Sequence, residues 1–177
     1  MNKKLIISLF IIGIMVFSIL GFMLGRSEEP IQNTLNYNGF EFTESNEKYF
    51  LDKDGKQFYF DYFPDELQNI MVPSFTITSP KYYFIFNPSE KDINMDYPVQ
   101  KLQYSLNQFG IKSVPACDRE EDCPNIPIKD CTEYSFYFKK SDKNLISLDE
   151  NCIVLEGNNQ FLSQAVDSIN YRLLGVL

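Results

Sequence analysis

The sequence predicts an α/β fold of α+β character: one external domain with a mixed β-sheet and two main helices, preceded by one N-terminal transmembrane helix. Three observations support this prediction. An uncharged apolar run occupies residues 5–24. Beyond it, aromatic residues alternate with polar ones in several short segments, which is typical of strands. Two later segments, 97–109 and 158–174, carry apolar residues at helical spacing.

The apolar run predicts a membrane-spanning helix. At about 1.5 Å of rise per residue, twenty residues cover roughly 30 Å, the thickness of the hydrocarbon core of a bilayer. A cleavable signal peptide is the alternative, but its apolar region has only about 7–15 residues and ends at small residues. This run is longer and ends in bulky residues, Phe22-Met23-Leu24. We therefore expect an uncleaved anchor.

Lys3 and Lys4 precede the run, and Arg26 alone follows it closely. The positive-inside rule then places the N-terminus in the cytoplasm and the rest of the chain outside a cell membrane. The predicted organisation is a cytoplasmic tail (1–4), a transmembrane anchor (5–24), a stalk (25–36) and an extracytoplasmic domain (37–177).

The first half of this domain predicts strands joined by tight turns. Asp54-Gly55 lies between two apolar runs and indicates a hairpin, because both residues tolerate positive φ. Residues 64–67, which begin with proline and continue with acids, predict the first turn of a short helix. Strands are predicted at 75–78 and 82–86, and the second, apolar on both faces, is expected at the centre of a sheet.

The clearest helix is predicted over 97–109, with Pro98 in its first turn and Gly110 just after its end. With a strand at 111–114 it forms a βαβ-like unit. Further strands are predicted around Phe136 and at 145–147 and 152–155. A final helix begins after residues 157–159 and ends at Gly175.

The charge of the external part excludes some partners. The chain has 16 basic and 24 acidic residues, and two of the lysines lie in the tail, so the remainder has a formal charge of −10. Nucleic acid and anionic headgroups both require a positive surface. We therefore predict no nucleic-acid partner. The expected partners are the membrane itself and another envelope or membrane protein.

Four cysteines, Cys117, Cys123, Cys131 and Cys152, lie in the external part and predict two disulfides. A zinc site usually needs close pairs such as C-x2-C, which are missing here. Three pairings are open, and we favour Cys117–Cys123, which closes a short acidic loop, with Cys131–Cys152.

The chain contains no histidine, which excludes Ser-His and Cys-His dyads and histidine-bound metals. Phosphate-binding and dinucleotide-binding glycine motifs are also missing, and no cofactor is predicted. Chemistry based on carboxylates or on Lys/Ser pairs is left open.

Two segments are candidate sites. The turn after the predicted central strand could bind a ligand through Asn87, Ser89 and Glu90, because ligands collect beyond the carboxyl ends of strands in open sheets. The acidic loop offers the metal-ligand candidates Asp118, Glu120, Glu121 and Asp122, whose oxygens suit calcium. An ordinary turn and solvated surface charge are the respective alternatives.

The start NGFEF, the loop CDREEDCP…KDC and the ending CIVLEGNN…AVDSINYRLLGV resemble uncharacterised single-pass cell-surface proteins of small-genome archaea. The resemblance covers nearly the whole chain and implies placement at the cell surface, with no activity to carry over.

These features lead to one main functional hypothesis: a membrane-anchored, extracytoplasmic binding or scaffolding domain of unknown ligand, without enzymatic activity. One alternative is a surface hydrolase that uses carboxylates without histidine. Another is an accessory subunit of a membrane complex, with the anchor helix as its contact.

Overall fold

The computed structural model describes residues 10–18, 33–90 and 93–177. Residues 10–18 form a helix, α1, inside the predicted anchor. The remainder of the predicted anchor, the cytoplasmic tail and stalk residues 25–32 lie outside the described residues. Among the residues that are described, no helix is both long and apolar enough to cross a membrane.

The domain begins with a four-stranded sheet whose strands lie in chain order. Strands β2 and β3 pair antiparallel, as do β3 and β4. The predicted hairpin is confirmed: Asp54 and Gly55 have φ of 53° and 73°, and Lys53 pairs with Lys56 across the turn. The first strand includes residues that were expected in the stalk. The strands are β1 (Asn33–Tyr37), β2 (Phe40–Ser45), β3 (Lys48–Lys53) and β4 (Lys56–Phe60).

A second, five-stranded sheet has the order β6-β5-β7-β9-β8. Four of its strands are parallel, and β8 is an antiparallel edge strand, so the predicted mixed sheet is confirmed. The expectation of one sheet is wrong, because the first four strands form a sheet of their own. The strands are β5 (Lys81–Phe86), β6 (Lys112–Cys117), β7 (Ser135–Lys140), β8 (Leu145–Asp149) and β9 (Cys152–Gly157).

Two helices complete the domain, α2 (Ile93–Gln108) and α3 (Asn159–Leu174), with a 3₁₀ turn at Pro64–Leu67. The predicted start of the first of these helices is wrong. Pro98 lies inside α2 rather than in its first turn. A proline at this depth removes a single hydrogen bond close to the helix start, and the helix tolerates that loss.

The strand predicted at 75–78 is also wrong. These residues pair with no described strand. Phe75 and Ile77 nevertheless pack, half-buried, against the main core. In residues 75–78 the alternation of apolar side chains therefore reflects packing against the core, and the backbone pairs with no described strand.

The ends of the helices follow the sequence closely. The Asn158 side chain accepts a hydrogen bond from the Phe161 N–H at 2.9 Å and caps α3. Gly175 ends that helix with a φ of 71°, as Gly110 ends α2 with a φ of 76°. Both predicted helix stops are confirmed.

Helices α2 and α3 lie between the two sheets. One core joins both helices to the five-stranded sheet, through side chains such as Leu102, Phe136 and Ile169. A second core joins the end of α3 to the four-stranded sheet, where Tyr171 stacks on Phe60 with ring centroids 4.0 Å apart. Residues 34–177 thus form one compact unit in which α2 and α3 are covered on two sides.

The opposite face of the five-stranded sheet is covered by the segment between β6 and β7. Both favoured disulfides are present in the structure, Cys117–Cys123 from the end of β6 to this segment and Cys131–Cys152 from the segment to β9. Cys131 and Cys152 pack with Ile85, Ala116 and Val154 in a small third core. The second disulfide therefore ties the covering segment to the sheet.

Candidate functional site

The predicted ligand-binding turn follows β5 directly and is largely occupied by its own hydrogen bonds. Asn87 is buried, and its amide nitrogen donates to Glu90 Oε1 at 2.8 Å. The amide oxygen of the same side chain accepts from the Ser89 N–H at 3.1 Å. Asn87 therefore stabilises the turn, and ligand binding by these three residues stays a prediction.

The acidic loop lies beside this turn. Because β5 and β6 are parallel, their carboxyl ends meet at one edge of the sheet, where the Asp118 N–H donates to the Phe86 carbonyl at 3.1 Å. Ser89 Oγ lies 3.5 Å from Asp122 Oδ2. The structure thus brings the two predicted sites together.

Asp118 is engaged within the protein. Arg119 donates to both of its carboxylate oxygens at 2.9 Å, and the Tyr137 hydroxyl donates at 2.6 Å. The Arg119 guanidinium, assisted by Tyr137, holds the pKa of Asp118 below its usual value despite partial burial. Glu120, Glu121 and Asp122 are exposed. Among the described residues no group of three metal-binding side chains is arranged to hold an ion, so the calcium hypothesis rests on the sequence alone.

The strongest convergence of charged groups in the described structure was not predicted. It is the interlayer ion network, which joins the four-stranded sheet to both helices. Lys48 comes from β3 and Asp61 follows β4, while α2 and α3 supply the remaining members. The network consists of Lys48, Asp61, Tyr97, Lys101, Ser163 and Asp167.

Lys101 is the centre of this network and is 0% exposed. Its ammonium forms ion pairs with Asp61 Oδ2 and, at 2.6 Å, with Asp167 Oδ1. Ser163 Oγ lies 3.4 Å from the same nitrogen. An ammonium has three donors, and here three oxygens surround it.

The two aspartates are held from other directions as well. Asp167 Oδ2 accepts the backbone N–H groups of Asp61 and Tyr62 at 2.8 and 3.1 Å. Asp61 Oδ1 accepts from the Tyr97 hydroxyl at 2.7 Å and pairs with Lys48. Three of the four carboxylate oxygens therefore accept hydrogen bonds, and the fourth, Asp167 Oδ1, is held by its ion pair with Lys101 alone.

The environment shifts the pKa values of the two aspartates in opposite directions. Burial raises the pKa of Asp167 to about 6, although Lys101 counteracts part of this effect. Burial would also raise the pKa of Asp61, but hydrogen bonds from Lys101 and Lys48 outweigh it and hold that pKa well below its usual value. Tyr97, partly buried beside them, has a pKa of about 12.

This geometry favours a structural role over catalysis. A lysine that activates a serine must be able to accept its proton, whereas the side-chain nitrogen of Lys101 is already engaged by Asp61 and Asp167. The Ser163 hydroxyl donates to Asp61 Oδ2 at 3.1 Å, away from any attack position. The network connects the four-stranded sheet to both helices of the layer beneath it.

Sequence reasoning missed the network because each member looked ordinary in its own segment. Lys101 lies beside the predicted apolar stripe of α2, where a surface lysine is expected. One signal was available in the sequence: Asp167 shares a helix face with Tyr171 and Leu174, four and seven residues further on. A charge on such a face requires a partner of opposite sign.

We predict that Lys101→Met destabilises the domain by about 3 kcal/mol or more, because two largely buried carboxylates lose their shared cation. Lys48→Met is the matched control, and it should cost at most about 1 kcal/mol because its side chain is 40% exposed. Urea unfolding followed by circular dichroism measures both. Equal losses in the two variants would contradict a central role for Lys101.

We predict that stability falls as the pH rises from about 4 to about 7. With its raised pKa, Asp167 stabilises the folded state fully below its ordinary pKa of 3.8, and this contribution is lost as the pH passes about 6. Asp61 acts in the opposite sense, and its contribution is lost only in stronger acid. Stability is therefore highest near pH 4, where the contributions of the two aspartates cross.

Urea midpoints across this pH range test the prediction. In Asp167→Asn the decline between about pH 4 and pH 7 should disappear, whatever the overall loss of stability. The exposed Asp149→Asn should retain the decline. If stability still declines with pH in the Asp167→Asn variant, another titratable group is responsible for the decline.

Comparison of the chain with protein-family models, with curated proteins and with solved structures finds no match. The resemblance to uncharacterised archaeal surface proteins therefore stays a prediction. Any function must be argued from the residues and geometry of this chain.

Proposed function

We propose that the protein is a single-pass cell-surface protein whose external domain is a non-enzymatic binding or scaffolding module for another envelope or membrane protein. The uncharged run 5–24 supports the anchor, and the lysines before it support the orientation. The two disulfides support an oxidising compartment, because such bonds persist mainly outside the cytoplasm. The likeness to archaeal surface proteins agrees with this placement.

The observation that carries the binding role is an exposed aromatic surface along α2. Tyr97 and Tyr104 in α2 and Phe109 directly after it are 40%, 37% and 41% exposed, although α2 also packs against the five-stranded sheet. Together with Tyr59, these residues are defined here as the α2 aromatic surface. Exposed tyrosine and phenylalanine side chains on rigid elements are typical of protein–protein contacts.

Contacts with β4 hold this surface in place. The Tyr104 hydroxyl donates to the Gln57 carbonyl at 3.0 Å, and its ring lies 5.4 Å from that of Tyr59. Phe109 stacks on Phe58 with ring centroids 5.5 Å apart. Because the rings are positioned before any partner arrives, little side-chain entropy is lost on binding.

For the hydrolase alternative, the best candidate centre in the described structure is the interlayer ion network, where carboxylates, lysines and a serine converge. Each of its charged groups already has a partner of opposite charge. A substrate would have to break the pairs that join the layers of the domain. We therefore favour binding over catalysis.

The proposed orientation predicts which introduced cysteines react with a membrane-impermeant maleimide. The four native cysteines are paired, so an added cysteine is the reactive one. In intact cells Lys143→Cys, in the exposed turn after β7, should be labelled, and Asn2→Cys should react only after permeabilisation. Labelling of Asn2→Cys in intact cells would contradict the orientation.

The binding role predicts crosslinks from the α2 aromatic surface. A photoreactive phenylalanine placed at Tyr104 in the full chain, in native membranes, should yield a discrete protein adduct. The control position is Leu145 on the edge strand β8, which is 47% exposed and should yield no such adduct. Equal or absent crosslinking at the two positions would contradict the proposal.

The same experiment separates the accessory-subunit alternative. Replacing residues 5–24 by a polyleucine helix leaves the domain unchanged and removes any specific contact through the anchor. The Tyr104 adduct should survive this replacement. Its loss would assign the contact to the anchor helix.

A further inference from the structure

A cavity of about 190 Å³ lies between α2 and the strands β6, β5 and β7. Phe84, Phe86 and Phe138 line it from the sheet, and Val99 lines it from the helix. In the sheet, β5 lies between β6 and β7. The chain runs from β5 through α2 to β6. The cavity lies under α2, over the middle of these strands.

The cavity exists because the edge strand β6 contributes small side chains where its neighbours contribute rings. Ser113 and Pro115 point towards α2, whereas Tyr82 and Phe84 lie beside them in the register. A helix resting on the larger side chains leaves space over the smaller ones. The void therefore follows from the sequence of β6.

The cavity has an apolar floor and a mixed rim. Phe84 and Phe138 are buried, whereas Pro115 is exposed and Asp96 and Gln103 are partly exposed. The rim gives access from solvent. The apolar floor disfavours any charged ligand, so a neutral ligand fits best.

One polar atom inside requires a partner. The Ser113 hydroxyl oxygen is buried and has no hydrogen-bond partner within the described part of the chain. Buried hydroxyls are nearly always hydrogen-bonded, because leaving one unpaired is unfavourable. A ligand with a hydroxyl or carbonyl group would supply the partner.

The size of the cavity limits what can occupy it. An apolar cavity of about 150 Å³ is large enough to take up a benzene-sized molecule. A space of about 190 Å³ accommodates one ring with a small substituent.

We propose that this cavity is a binding site for a small neutral molecule, a single ring or short alkyl chain with one hydroxyl or carbonyl group that pairs with Ser113. This inference goes beyond the proposed binding role and adds a second, small-molecule ligand. It uses a different region of the domain from the α2 aromatic surface. Each proposal can therefore fail without the other.

Methyl NMR of the full chain in lipid nanodiscs tests the site with phenol and toluene as probes. Met95 lines the cavity and is 2% exposed, whereas Met71 is 85% exposed and serves as an internal reference. Phenol should shift the Met95 methyl resonance saturably and leave Met71 unchanged. Toluene, which lacks the hydroxyl, should bind about 3- to 10-fold more weakly.

Two variants make the test specific. Ser113→Ala should lower the affinity for phenol by about 3- to 10-fold and leave toluene unaffected. Ser147→Ala, a half-buried serine on β8, is its matched control and should change neither. Val99→Phe, which fills the cavity, should abolish the saturable shift with both probes.

The proposal is overturned if neither probe shifts Met95 saturably, or if Ser113→Ala leaves the preference for phenol intact. Circular dichroism confirms that each variant is folded. Ser113→Ala removes a single buried hydroxyl, so it keeps the test decisive even if Val99→Phe does not fold. A negative result here together with a positive Tyr104 crosslink would remove only the small-molecule site.

Discussion

The ion pairs of Lys101 with Asp61 and Asp167 are the interaction on which the arrangement of this domain depends. Asp61 follows the four-stranded sheet, Lys101 belongs to α2 and Asp167 belongs to α3. Burying these charges is unfavourable unless all of them meet with good geometry. The network therefore favours one arrangement of the three elements. Other arrangements could still bury the apolar side chains, but they would leave these charges buried without partners.

Helix α2 contributes to both proposed binding sites, one on each of two of its sides. Towards β4, the helix presents Tyr97 and Tyr104 at the surface, with the Tyr97 hydroxyl bonded to Asp61. Towards the five-stranded sheet, the same helix covers the cavity beside Ser113. The surface proposed for a protein partner and the site proposed for a small molecule thus share one helix, which the Lys101 network holds in place.

Short sequence motifs were reliable for turns and helix ends, where the backbone conformation restricts which residues can occur. The Asp54-Gly55 turn, the Asn158 cap and the helix stops at Gly110 and Gly175 were predictable because few residues adopt positive φ or cap a helix. Predictions from side-chain alternation were weaker. Residues 75–78 alternate as a strand would, yet they only pack on the core, and the start of α2 was placed too late because Pro98 was assumed to need a first-turn position.

By itself the sequence determined the apolar run 5–24, the net negative charge, the lack of histidine, the even number of cysteines and most helix and strand positions. All of these depend on composition or on residues close in the chain. Only the tertiary structure decided that the strands form two sheets, that both candidate loops share one edge, and that Lys101 is buried. Lys101 is 40 residues from Asp61, and Asp61 is 106 residues from Asp167. Partners so far apart become visible only after the layers between them have packed.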